Sequence, residues 1–165
     1  SLGLRALACV APVALACASP VALVEGRWHA TEGDVSVADL AALEPGWERS
    51  AFDGPLLAFE APDGARASWL RRCPGATAPA RAEGRALLMS LEGVEVRAER
   101  AVPLAGSEAW LLEASALEAG RTVAVKAVTR AAAGCTDDFL LVTPADLATH
   151  EAAFDRWWAS YREGG

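Results

Sequence analysis

Residues 107–143 read SEAWLLEASALEAGRTVAVKAVTRAAAGCTDDFLLVT, three strand-forming runs joined by two turn signals. The apolar run 110–115 is followed by Glu118, Ala119 and Gly120, where a chain reverses. Across 122–130, Val123, Val125 and Ala127 alternate with Lys126 and Arg130, the period of two expected of a strand with one face wet. Ala133-Gly134 supplies the second turn, and 139–142 (FLLV) a more fully buried third strand. A three-stranded meander must bury its apolar face under another layer, so the flanking sequence is read for what supplies that layer.

Upstream, 94–102 alternates Val94, Val96 and Ala98 with Glu95, Arg97 and Glu99, a further strand. The segment 77–92 predicts a helix: Thr77 caps it, Pro79 lies in its first turn, and Ala80, Gly84, Leu87, Leu88 and Leu91 share a face. Before it, 56–60 and 65–72 form a hairpin about Pro62-Asp63-Gly64, since Pro presets φ and Gly accepts a positive one. A short strand at 46–52 precedes that hairpin, and 35–43 offers one or two helical turns ended by Pro45-Gly46. Downstream, Thr143, Pro144 and Asp146 announce a second helix through 162. Leu147, Phe154, Trp158 and Tyr161 mark its apolar stripe. Adjacent residues on a helix point about 100° apart, so this stripe places Trp158 in the core and Trp157 at the rim or in a partner-binding patch. The expectation is an α+β domain, an antiparallel sheet of about six strands packed with two helices.

The chain opens differently. Residues 1–18, SLGLRALACVAPVALACA, carry one charge, Arg5, and then an apolar run too short to span a bilayer but suited to a signal peptide. Ala14-Leu15-Ala16-Cys17 has the form of a lipoprotein cleavage box, which would leave Cys17 as the lipidated first residue. Cleavage before Ser19 at a small-x-small site, or an uncleaved anchor, are the alternatives. A tether with a short strand is expected over 19–45, and the globular domain over 46–163.

Composition narrows the functional classes. The net charge is −7, and without the leader 14 basic residues face 22 acidic ones. No basic patch survives that balance, so nucleic acid is not expected as a partner. Cys73 and Cys135 sit at strand ends, and in an exported chain such a pair predicts a disulfide. Two free thiols, or a metal site recruiting His29 or His150, are the alternatives, and no CxxC or HxxxH spacing supports the metal. His150 reads as a boundary histidine, and Asp137-Asp138 as solvated turn acids without the oxygen-ligand spacing of a calcium loop. There is no GxSxG elbow and no glycine-rich phosphate loop, so neither enzymatic activity nor a cofactor is expected.

Gly46-Trp47 at the start of the domain and a tryptophan-rich helix at its end give an element order that resembles the PsbP/Mog1/DcrB-like fold. The likeness narrows to small lipoproteins of the myxobacterial and deltaproteobacterial type through 57–59 (LAF), Cys73, 104–109 (LAGSEA) and 133–139 (AGCTDDF). Ala133 departs from it, standing where a charged turn residue is expected. The resemblance covers roughly 46–162 and implies an α/β/α sandwich in a non-catalytic accessory role. On this reading the protein is a periplasm-facing subunit, anchored to the membrane through Cys17 and bound to an envelope protein partner. A carrier holding a small apolar ligand between sheet and helix is the alternative, and a Trp- and Leu-lined cavity would mark it.

Overall fold

The computed structural model describes residues 20–51 and 54–164. The proposed leader and Cys17 lie outside them. The chain order is β1 (Val21–Val24), β2 (Arg27–Ala30), β3 (Val35–Ala38), α1 (Leu40–Leu43), β4 (Glu48–Ser50), β5 (Leu57–Glu60) and β6 (Arg66–Arg72). Then follow α2 (Ala80–Leu88), β7 (Glu92–Leu104), β8 (Ser107–Glu118), β9 (Arg121–Ala132), β10 (Cys135–Thr143), a 3-10 turn (Leu147–Thr149), α3 (Glu151–Ala159) and β11 (Arg162–Glu163). The fold is α+β and antiparallel throughout. Its main sheet has seven strands in the order β4-β5-β6-β10-β9-β8-β7, and a second sheet has four, β1-β2-β3-β11.

The meander sits at the centre of the main sheet, and alternation sorts its side chains to two layers. Val123, Val125 and Ala127 of β9 join Leu112, Ala114 and Ala116 of β8 and Leu88 of α2 in one apolar cluster. There α2 comes down closely on the sheet: a Cβ added at Gly84 would stand 3.1 Å from Thr129 Oγ1 and 3.2 Å from a methyl of Leu112. The opposite face carries the larger core, in which Phe59, Trp69, Val128, Phe139 and Leu141 meet Phe154, Trp157 and Tyr161, with Val35, Val37 and Leu40 from the second sheet and α1. The face of β9 expected to be wet is therefore covered. Lys126 and Arg130 are 0% and 2% exposed, and the polar half of the alternation records ion pairing instead of water.

The N-terminal expectation needs correction. The described part of the segment expected as a tether over 19–45, from residue 20 on, is not one, because Val21, Val35, Val37 and Leu40 are buried and the second sheet is part of the same core. The two-residue β11 closes that sheet by pairing with β3, Arg162 opposite Ser36. The first helix is shorter than expected and starts after Pro79, without a side-chain cap. The second is split. Asp146 caps the 3-10 turn, Thr143 ends β10, and α3 proper begins only at Glu151.

Four hairpins use the same two-residue turn, with Glu25-Gly26, Ala105-Gly106, Ala119-Gly120 and Ala133-Gly134 at φ of 47–52° and then 74–75°. Both central residues at positive φ is the turn that matches strand twist, but an alanine Cβ is crowded there. Asn tolerates that conformation better. Ala105→Asn and Ala119→Asn are each expected to add about 0.5 kcal/mol, a gain drawn from the left-handed strain of alanine, read as higher melting temperatures. Unchanged or lower melting temperatures in both variants would contradict this account of the turns.

Candidate functional site

The polar groups that stand out in the core lie in one row across three strands. Asp137 of β10 is paired in register with Arg71 of β6 on one side and Arg130 of β9 on the other. One row inward, Phe139 stands between Trp69 and Val128. Oδ1 of Asp137 accepts from Trp69 Nε1 (3.0 Å) and Arg71 Nη1 (2.7 Å). Oδ2 accepts from the same Arg71 Nη1 (2.6 Å) and from Tyr161 O–H (2.8 Å). Arg130 Nη1 is 3.9 Å from Oδ2, and its Nη2 reaches Glu163 of β11 at 2.6 Å. Tyr161 lies over the row with the Arg130 guanidinium 5.5 Å from its ring centre. Burial, and after it the charge and hydrogen bond of Asp137, push the Tyr161 phenol well above its ordinary value. Nε of Arg71 and Nε of Arg130 are buried without a hydrogen-bond partner among the described residues.

The chemistry of this row follows from its saturation. A carboxylate has about four lone-pair sites, and all four of Asp137 are taken. It has none left to accept a hydrogen bond from a further group. What the row does is fasten the C-terminal segment, through Tyr161 and Glu163, onto the middle of the sheet.

Two further clusters act in the same manner. Lys126, the single lysine of the chain, reaches Glu151 at 2.6 Å and Asp155 at 2.9 Å, holding the first turns of α3 to β9. On the α2 face, Asp138 accepts from Thr129 Oγ1 (2.7 Å) and Arg72 Nη2 (3.1 Å). Its burial outweighs those bonds and raises its carboxyl above the usual range. Asp137 and Asp138 are thus not the solvated turn acids expected; both are 0% exposed. Nearer the rim, Arg85, then Arg81, and also Trp110 donate to Glu99 and bring its carboxyl down to about 2.

His150 is a boundary residue. Its Nε2 lies 2.7 Å from Asp63 Oδ2, its ring meets Trp47 edge-on at 5.2 Å, and its hydrogen bond lowers the Asp63 carboxyl. His150 lines an open cleft of about 230 Å³ together with Glu44, Pro45, Trp47, Pro62 and Thr149, and that lining holds no serine or cysteine. Among the described residues no group of three His, Cys, Asp or Glu side chains is placed to hold a metal ion.

The other expected site residues separate cleanly. Cys73 and Cys135 are joined, Sγ to Sγ 2.10 Å and Cα to Cα 4.0 Å, linking the end of β6 to the start of β10. Trp157 is not a surface residue. It is 0% exposed, donates Nε1–H to the Ala38 carbonyl at 3.0 Å, and meets Phe59 and Phe139 edge-on at 5.6 and 5.5 Å. Trp158 is the half-buried neighbour, its Nε1–H donated to Asp155. The expected patch at Trp157 is withdrawn. The expected stripe takes its phase from Leu147 and Tyr161, which lie on the 3-10 turn and beyond the helix end.

No family model matches the chain, and no curated protein matches it by sequence. Solved structures do. The solution structure of cyanobacterial PsbP (CyanoP) from Synechocystis sp. PCC 6803 aligns with TM-score 0.61 at 16% identity, over 96% of this chain and 97% of that one. LpqN, described as involved in cell envelope biogenesis of Mycobacterium tuberculosis, aligns with TM-score 0.51 at 17% identity, over 72% and 79%. The fold is of the PsbP/Mog1/DcrB type, with a larger main sheet than the sequence suggested.

Proposed function

We propose that this protein is a non-catalytic accessory subunit of a bacterial cell-envelope complex, held to the membrane through a lipidated Cys17 and facing the periplasm. One observation carries the choice of subunit over carrier. The space between sheet and α3, where a carrier would hold its ligand, is filled by Phe59, Trp69, Phe139, Phe154, Trp157 and Tyr161, each 0–3% exposed. The charges beneath them are spent on one another. A molecule with a filled interior acts through its surface. The envelope setting draws support from the fold shared with LpqN and from the Ala-Leu-Ala-Cys box at 14–17.

The test is expression of the full chain in a bacterium fed an alkyne-bearing fatty acid. The wild type should take up the label and sediment with membranes, and Cys17→Ser should lose both properties. An intact mass beginning at unmodified Ser19 would overturn the anchor. Chemical cross-linking in the same cells should then trap the anchored chain in a defined larger assembly. A monomer under every cross-linking condition would overturn the accessory role.

A further inference from the structure

We infer that β1 is a membrane-contact strand, lying lengthwise in the headgroup zone of the bilayer to which Cys17 is anchored; the inference rests on the lipid anchor proposed above.

The first observation is what the strand is made of. Among the described residues β1 is an edge, paired only with β2. Exposed edge strands ordinarily carry charge or proline against unwanted pairing. This one reads VALV, and the sequence holds no charged residue from Ala6 to Val24. Only Val21 is buried, at 3% exposure. Ala22, Leu23 and Val24 are all exposed, the last two at 49% and 51%. Successive strand residues point to opposite faces, so Leu23 lies on the face of Trp28, its cross-strand partner, and Val24 on the other. Apolar side chains on both faces of an edge suit a contact made edge-on.

The second observation is the leash. The Pro20 carbonyl accepts from both N–H and Oγ1–H of Thr31, at 3.0 and 3.1 Å, which fixes the point where β1 begins. Two residues separate Pro20 from Cys17, so three chain steps give a reach of about 10 Å when extended. A lipidated Cys17 therefore keeps Pro20, just before β1, within about 10 Å of the residue that carries the acyl chains. The anchor joins at the Val21 end and the exposed Leu23 and Val24 sit at the other, so both touch lipid only if the strand runs along the surface. Its outward N–H and C=O groups exclude deeper burial, because hydrocarbon offers them no partner. Headgroup esters, phosphates and water do. A four-residue edge also presents too few outward main-chain groups to hold another strand firmly, which disfavours a second copy or a partner strand as the occupant.

The test uses the full lipidated chain in host membranes, and in vesicles of phosphatidylethanolamine with a minority of phosphatidylglycerol. Photoreactive benzoylphenylalanine replaces Leu23, Val24 or, as control, Met89, which is 80% exposed on α2 across the main sheet. Lipid adducts from position 23 or 24, absent from position 89, are the expected result. An adduct of twice the chain mass, or one with another protein, would replace the membrane with that occupant. A chain that is labelled at Cys17 and membrane-bound, yet gives no lipid adduct at 23 or 24 or gives one equally at 89, would overturn the inference and leave the anchor standing. A soluble chain without the fatty-acid label would instead remove the anchor, and the inference with it.

Discussion

Asp137→Ala is expected to cost about 3–5 kcal/mol of folding stability, the usual consequence of removing one partner from a buried ion pair. Attraction between the charges is the smaller part of the argument. Arg71 and Arg130, 8% and 2% exposed at the side chain, were desolvated against this carboxylate. Removing it strands the Arg71 guanidinium, the Trp69 N–H and the Tyr161 hydroxyl in one small volume, and leaves Arg130 to Glu163 and Ser107. The neighbouring residue is the control. Asp138 also lies at 0% exposure, but its charged partner Arg72 is 56% exposed and Thr129 is neutral. With its carboxyl raised by burial, Asp138 stabilises the fold most below its unfolded pKa, and that contribution is lost as pH rises through the folded value. Asp138→Asn removes a charge that the fold disfavours at neutral pH, so its cost should stay under about 1 kcal/mol, the scale of a half-exposed ion pair. Urea denaturation of both variants at neutral pH distinguishes them. Equal losses would mean that the row Arg71-Asp137-Arg130 has no special standing.

Trp157→Ala is expected to cost a further large increment, about 3–5 kcal/mol as for other buried aromatic truncations. Four contacts set this scale. The indole lies edge-on to Phe59 and Phe139, touches Phe154, and donates to the Ala38 carbonyl just before α1. Its loss opens a cavity at the junction of both sheets and leaves that carbonyl without its indole donor. Trp158→Ala removes a half-buried ring whose hydrogen bond, to Asp155, stays within its own helix, and should cost less than half as much. Melting curves on the pair decide the matter. A greater loss at Trp158 would mean that α3 is rotated by about one residue, the 100° step of a helix.

Those two residues show where the sequence is readable. The meander was legible because Val123, Val125 and Ala127 alternate without interruption and X-Gly pairs close both of its turns. The hairpin about Pro62-Asp63-Gly64 was legible for the same reason. Asp137 was misread because two acids after Gly134 and Cys135 look like the end of a turn. The signal that places it inside is parity: Asp137, Phe139 and Leu141 share a face, as do Trp69 and Arg71 on β6 and Val128 and Arg130 on β9. Alternation gives the face; only pairing between distant strands shows that the charges on it neutralise one another. The rotation of α3 failed for a local reason. A 3-10 turn ahead of Glu151 breaks the helical phase, and no residue pattern in 143–151 announces the break. The second sheet was missed although Glu25-Gly26 sits between two apolar runs just as Ala105-Gly106 does. Pro20 and the apolar, uncharged stretch before it give the segment the composition of a linker.

The pairing of β3 with β11 has a consequence for how the molecule comes into being. Val35 and Glu163 are register partners, and Arg27 of β2 donates to the carbonyl of Ser160 at 2.6 Å. The earliest described strands therefore wait for residues 160–163, made more than a hundred residues after them, and the small sheet cannot be finished while they emerge. Contacts of such sequence separation form slowly, and until they form, the apolar face of β1–β3 has no cover. A chain halted before Tyr161 would thus fail far upstream of the halt, in the strands β1–β3.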